Sequence, residues 1–224
     1  MTTTAVEGFT LSGPAKPRLR GWLHAGALPV ALIAGFALVA LGPTLQARLA
    51  AAVYAVTSGL LFGVSATYHR GALSPRLEEA LRRLDHANIY LIIAGTYTPF
   101  ALLALDGPAS AVVLGVIWTG AVAGVLFRVL WTAAPRWLST ALYIALGWTA
   151  VFVLPQLTAG AGTAALVLLL VGGLLYTAGG VVYGVRRPDP SPRWFGFHEV
   201  FHAFTVAAYL VQYVAVSLVV YAAA

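Results

Sequence analysis

The sequence predicts an all-α membrane protein: a bundle of seven transmembrane helices, with the N-terminus cytosolic and the C-terminus outside. Three observations predict it. Of 224 residues, 60% are hydrophobic and only 9% charged, with a mean hydropathy of +0.87, more apolar material than a water-facing domain can hide. Seven charge-poor stretches recur along the chain, each near the length of about 20 residues that crosses a hydrocarbon core as a helix. Twelve of the thirteen Lys and Arg fall on one side when those stretches are laid alternately across a membrane, which fixes the orientation.

Residues 1–20 form a flexible cytosolic tail bearing Thr, Pro, Lys16, Arg18 and Arg20. The apolar stretch that follows has the order of a secretory signal, but Gly21 to Ala47 holds no Lys, Arg, Asp or Glu. That is too long for a signal core, so it is read as a retained first span within a single transmembrane domain, 21–224. The spans are expected at 22–41, 49–69, 85–105, 109–128, 137–157, 162–185 and 197–221. Between them stand Gly42-Pro43, Ser74-Pro75, Gly107-Pro108, Pro135, Gly160 to Gly162 and the run "RRPDPSPRW", all turn signals. Pro29, Pro99 and Pro155 each interrupt or end a helix.

The inner side then holds the tail cations, Arg70, Arg76, Arg82 and Arg83 in the second loop, Arg128 and Arg136 in the fourth, and Arg186, Arg187 and Arg193 in the sixth. Only Arg48 lies opposite. Trp22, Trp131, Trp137 and Trp194 fall near the same inner boundary, as interfacial aromatics do, while Trp118 and Trp148 sit mid-span. The basic residues are scattered and form no stripe, so the net charge of +6 reports topology and not nucleic-acid binding. There is no cysteine, which excludes disulfides, iron–sulfur ligation and thiol nucleophiles. The only lysine, Lys16, lies in the tail, so no span offers a Schiff-base amine, and few mid-span polar residues are available to line a pore.

Chemistry is left to His, Asp, Glu and Ser, and these gather. Span two ends inside with "SATYHR", span three begins inside with "LDHANIYL", and span seven begins inside with "FHEVFH". Ser65 and His69 are four apart, as are His198 and His202, and such pairs share a helix face. Three imidazoles at one depth suit zinc, which takes neutral His nitrogens tetrahedrally and leaves a fourth position open for water. Asp85 is the carboxylate placed to handle a proton of that water.

Each residue also has a plain structural reading. Ser65 can back-bond to its own helix, Asp85 can be a first-turn acid favoured by the helix dipole, and His69 can sit among headgroups. His24 and His86 lack partners at helical spacing and read as interfacial histidines. Glu199 completes the literal pattern H-E-x-x-H of zinc proteases but lies about 100 degrees around the helix from His198. Tyr97 and Thr98 read as satisfying backbone freed by Pro99. Gly172-Gly173 and Gly179-Gly180 permit close helix approach, within the bundle or between subunits.

The segments "SATYH", "LDHANIYLIIAGTYTPF" and "FGFHEVFHAF" on spans two, three and seven resemble the hemolysin III family, the bacterial branch of the progestin and adipoQ receptor superfamily. The resemblance covers about residues 15–222. It implies a zinc ion near the inner face held by His69, His198 and His202, with Asp85 and Ser65 attending a bound water. It also implies a bacterial plasma-membrane protein akin to hydrolases of lipid amides such as ceramides, with a membrane lipid as substrate or ligand and no nucleic acid.

The leading expectation is therefore a zinc-dependent membrane hydrolase of lipid amides or esters. An intramembrane metalloprotease using Glu199, and a receptor or membrane-state sensor with structural zinc, are the alternatives. Substrate identity and oligomeric state are left open by the sequence.

Overall fold

A computed structural model describes residues 16–223, so residues 1–15 of the expected tail lie outside the described residues. Seven α-helices follow: α1 (Trp22–Leu41), α2 (Leu45–Arg70), α3 (Pro75–Ala104), α4 (Gly107–Leu130), α5 (Arg136–Gly147), α6 (Leu154–Val185) and α7 (Phe197–Ala222). A 3-10 segment, Trp148–Val153, joins α5 to α6. Six helical runs, counting Arg136–Val185 as one, are long and apolar enough to cross a membrane. With backbone groups bonded inside each helix, this is a multi-pass integral membrane protein.

The fifth run doubles back on itself. Trp148 Nε1 donates to Thr177 Oγ1 at 3.0 Å, whereas 29 residues of straight helix would separate them by about 43 Å. The reversal falls at Gly162, whose φ of 78° and ψ of 160° leave helical geometry within α6. A left-handed φ favours glycine, which has no Cβ to clash.

Helix starts follow local chemistry. Thr44 caps α2 by accepting from the Ala47 amide at 3.1 Å, and α3, α4 and α6 carry proline in their first positions, where the missing N–H is harmless. Pro155 therefore opens α6, while Pro29 and Pro99 lie inside α1 and α3.

The expected span at 85–105 is extended by ten residues at its N-terminal end. Arg76, Glu78, Glu79, Arg82 and Arg83 hide this segment from hydropathy, but Glu79 pairs with Arg82 at 2.6 Å and with Arg83 at 3.0 Å, the spacings that support a helix. Asp85 thus stands in the third turn of α3, which removes its reading as a first-turn acid.

Polar groups around Pro99 also differ from expectation. Thr98 Oγ1 donates to its own Ala94 carbonyl and accepts from Trp118 Nε1. The Tyr97 hydroxyl donates to the Gly147 carbonyl and accepts from the Ala150 amide, tying α3 to the break after α5. Neither serves Gly95, the carbonyl that Pro99 frees.

Helices approach closely where glycine removes the Cβ. Gly172 lies against Gln212 and Gly179 against Phe204, so these two serve the α6–α7 contact, while Gly180 faces Thr140 of α5. A Cβ at Gly160 would stand 1.9 Å from the Ala104 carbonyl oxygen, a backbone atom that cannot swing away. Gly160→Ala is expected to lower stability by about 1–3 kcal/mol, the usual cost of overpacking. Gly115→Ala, with nothing within 4 Å of the added Cβ, is expected to be neutral in the same thermal unfolding assay in detergent.

Candidate metal centre

Residues 17–22 hold the ends of α2 and α7 together. The Arg18 and Leu19 amides donate to the Arg193 and Trp194 carbonyls at 3.0 and 3.1 Å. Arg20 pairs with Glu199, and Arg70 stacks its guanidinium 3.5 Å from the Trp22 ring centre. Gly21, at φ 79°, lies so close to α2 that a Cβ would meet the His69 Cβ at 2.7 Å. Four of the five histidines come together beneath this clamp.

One ligand-capable nitrogen from each of His69, His198 and His202 lies within 4.8 Å of the others. His69 Nε2 and His198 Nε2 are 3.2 Å apart. A tetrahedral ion with nitrogens at about 2.05 Å needs its ligands about 3.3 Å from one another, so this pair already has the spacing of a tetrahedral edge. The same separation suits a hydrogen bond between neutral imidazoles, which keeps the rings facing inward. His69 has a side chain only 5% exposed, which sets aside its reading as a headgroup residue. The donor set fits a metal that accepts neutral imidazole.

Asp85 Oδ2 stands 3.7 Å from His69 Nε2, and the Ser65 hydroxyl lies beside that carboxylate. Thr57, Ser58 and Thr67 on the same helix all donate back to carbonyls of their own helix. Ser65 does not, and its buried Oγ has no partner of ordinary geometry. The back-bonded reading of Ser65 is therefore excluded, and its hydroxyl is associated with the Asp85 carboxylate and not with its own helix.

Glu199 is spoken for. One carboxylate oxygen pairs with Arg20 and the other accepts from the Gly196 amide at 2.8 Å, closing the first turn of α7. The carboxylate of the H-E-x-x-H pattern thus builds the helix start and the clamp. His86 is likewise satisfied, with Nδ1 on the Arg82 carbonyl at 2.8 Å and Nε2 on the Tyr183 hydroxyl at 3.1 Å.

His24 departs from its expectation. It is not interfacial but only 2% exposed, and its ring stacks on His202 with centroids 3.8 Å apart and planes 1° from parallel. No signal in the sequence pairs it with α7, because the contact joins the first helix to the last.

His198 and His202 of the triad, with His24, Ser65 and Asp85, border one cavity that runs between α3, α5, α6 and α7. Its empty space is about 1270 Å³, open solvent at the mouth included. Ile89, Ile93, Ile144, Leu169 and Phe201 make much of the wall. Gln212, also in the wall, lies about 15 Å along α7 from His202.

The family model described as "Haemolysin-III related" matches residues 13–213. The chain belongs to this haemolysin III family. "Hemolysin-3" of Bacillus cereus is 37% identical over 140 residues, which are 62% of this chain and 64% of that protein. "Hemolysin-3 homolog" of Bacillus subtilis (strain 168) is 32% identical over 149 residues, 66% of this chain and 67% of that protein. The human "Monocyte to macrophage differentiation factor" is 24% identical over 199 residues, 87% and 80% of the two chains. The matched part thus spans about two thirds of each Bacillus haemolysin III relative.

The Arg20–Glu199 pair yields a stability prediction, since the Glu199 side chain is 1% exposed. Arg20→Met strands a buried carboxylate and should cost about 3–5 kcal/mol. Adding Glu199→Gln to that variant should recover much of the loss, as read from chemical unfolding in detergent.

Proposed function

We propose that this protein is a zinc-dependent membrane hydrolase acting on a lipid amide or ester, with its site near the cytosolic face. The observation that carries the reading is the pair Ser65 and Asp85, set beside three converging imidazoles at the head of a mainly apolar cavity. A carboxylate with a hydroxyl beside it is the pairing that can hold a water and take its proton. We further propose that the chain crosses the membrane seven times, the reversal at Gly162 dividing Arg136–Val185 into two spans, with the N-terminus cytosolic as the basic residues require.

His69, His198 and His202 would hold the metal. When bound, zinc would supply a Lewis acid able to polarise a carbonyl and lower the pKa of water toward neutrality. Asp85 accepts a proton from the attacking water and returns it to the leaving group. Ser65 orients that water or the substrate oxygen by hydrogen bonding. The apolar walls take up hydrocarbon chain and keep bulk water from the reacting end.

A second reading rests on the 3.7 Å gap between Asp85 and His69. If Asp85 itself closes the coordination shell, zinc is structural and the protein is a receptor or membrane-state sensor, because structural sites fill all four positions with protein ligands. The metalloprotease reading needs Glu199 as base, and both its oxygens are engaged elsewhere.

Three measurements test the topology and these readings. A reporter that works only outside the membrane should be active when fused after Ala224 and silent in the loop at Pro75; the reverse would overturn the orientation. The purified protein should carry one zinc per chain, with His69→Ala, His198→Ala and His202→Ala each losing most of it and His86→Ala almost none. Asp85→Asn should keep zinc while losing about 100- to 10,000-fold in turnover of a ceramide-like amide. Loss of zinc in Asp85→Asn would favour the sensor, and a dead Glu199→Gln beside a live Asp85→Asn would favour the protease.

A further inference from the structure

His24 is the buried titratable group that the mechanism above leaves unused. Neither Nδ1 nor Nε2 has a hydrogen-bond partner among the described residues, although both are shielded from solvent. Its ring is held from two sides, face to face with His202 at 3.8 Å and edge-on to Phe62 at 5.1 Å and 79°. It borders the same cavity as Ser65 and Asp85.

A neutral imidazole carries one N–H donor and one acceptor nitrogen. If packing alone were asked of this position, an aromatic hydrocarbon ring would fill it without leaving polar atoms unpaired, which is unfavourable in a buried site. The fixed ring plane also sets the direction of its donor before any ligand arrives, as a binding group requires.

We propose that His24 is a ligand-contacting residue: its imidazole N–H donates to an oxygen at the polar end of a lipid amide whose hydrocarbon chain lies in the cavity. This rests on the lipid-hydrolase reading and adds to it a group from α1, a helix that contributes neither to the triad nor to the Ser65–Asp85 pair. His24 then grips the ligand from the α1 side, and the stack on His202 ties that grip to the triad.

The test compares the parent, His24→Phe and His24→Gln, each zinc-loaded in detergent, using a radiolabelled C16 N-acyl amino alcohol as the probe. Zinc content and probe affinity are measured separately. Phenylalanine keeps the stack and the edge contact but removes both nitrogens, whereas glutamine restores a donor and an acceptor. The expected result is parent zinc content in all three, probe affinity about ten-fold weaker in His24→Phe, and recovery toward the parent in His24→Gln. Unchanged affinity in His24→Phe overturns the assignment alone. Loss of zinc in His24→Phe also overturns it, by making His24 a positioning residue for His202. A parent that binds no probe defeats the lipid-amide reading and this assignment together.

Discussion

Three imidazoles from two helices meet only if the ends of α2 and α7 are held at contact distance, and the short segment before α1 imposes that distance. Hydrocarbon gives packed helices no hydrophobic drive toward one another, so close packing and polar links must do the work. Here the links are the Arg20–Glu199 pair, the two backbone bonds to Arg193 and Trp194, and the Arg70–Trp22 stack. Gly21 lets that segment press directly on His69. The polarity of the site is thus sustained by residues that touch no cavity atom.

Much of this was legible in the sequence because helical spacing and membrane depth are local properties. Ser65 with His69 and His198 with His202 fall on common faces by counting, and the basic-residue asymmetry puts them at one level, where the structure brings the three imidazoles together. What could not be counted were pairings between distant helices. His24 looked isolated because its partner, His202, lies at the other end of the chain, and the protease reading of Glu199 stayed open as an alternative because Arg20, which engages it, lies 179 residues before it. The start of α3 was hidden for another reason: its first turns are charged and held by side-chain pairs that hydropathy scores as loop.

The hydroxyl groups show how a membrane bundle separates structural from functional polarity. Thr57, Ser58, Thr67, Thr96, Thr98 and Thr205 all return their hydrogen bonds to a carbonyl of the same helix, the local way to satisfy such a group without water. Ser65 and His24 belong to a smaller set of buried polar groups without such a bond, which at the same cavity also includes Thr140 and Tyr176. Ser65 and His24 both border the cavity, whereas Tyr97 and His86, which border it too, are engaged with backbone or neighbouring side chains.

The connection between α2 and α3 spans only residues 71–74, so Ser65, His69 and Asp85 ride on one helical hairpin, while His198 and His202 ride on α7. The centre therefore has a parting line. One half brings an imidazole with its carboxylate and hydroxyl already assembled; the other brings two imidazoles one turn apart. The segment before α1 fastens these halves from outside, beside the direct packing of α7 on α2 and α3, so the site is completed along the seam between two parts that each carry their own groups.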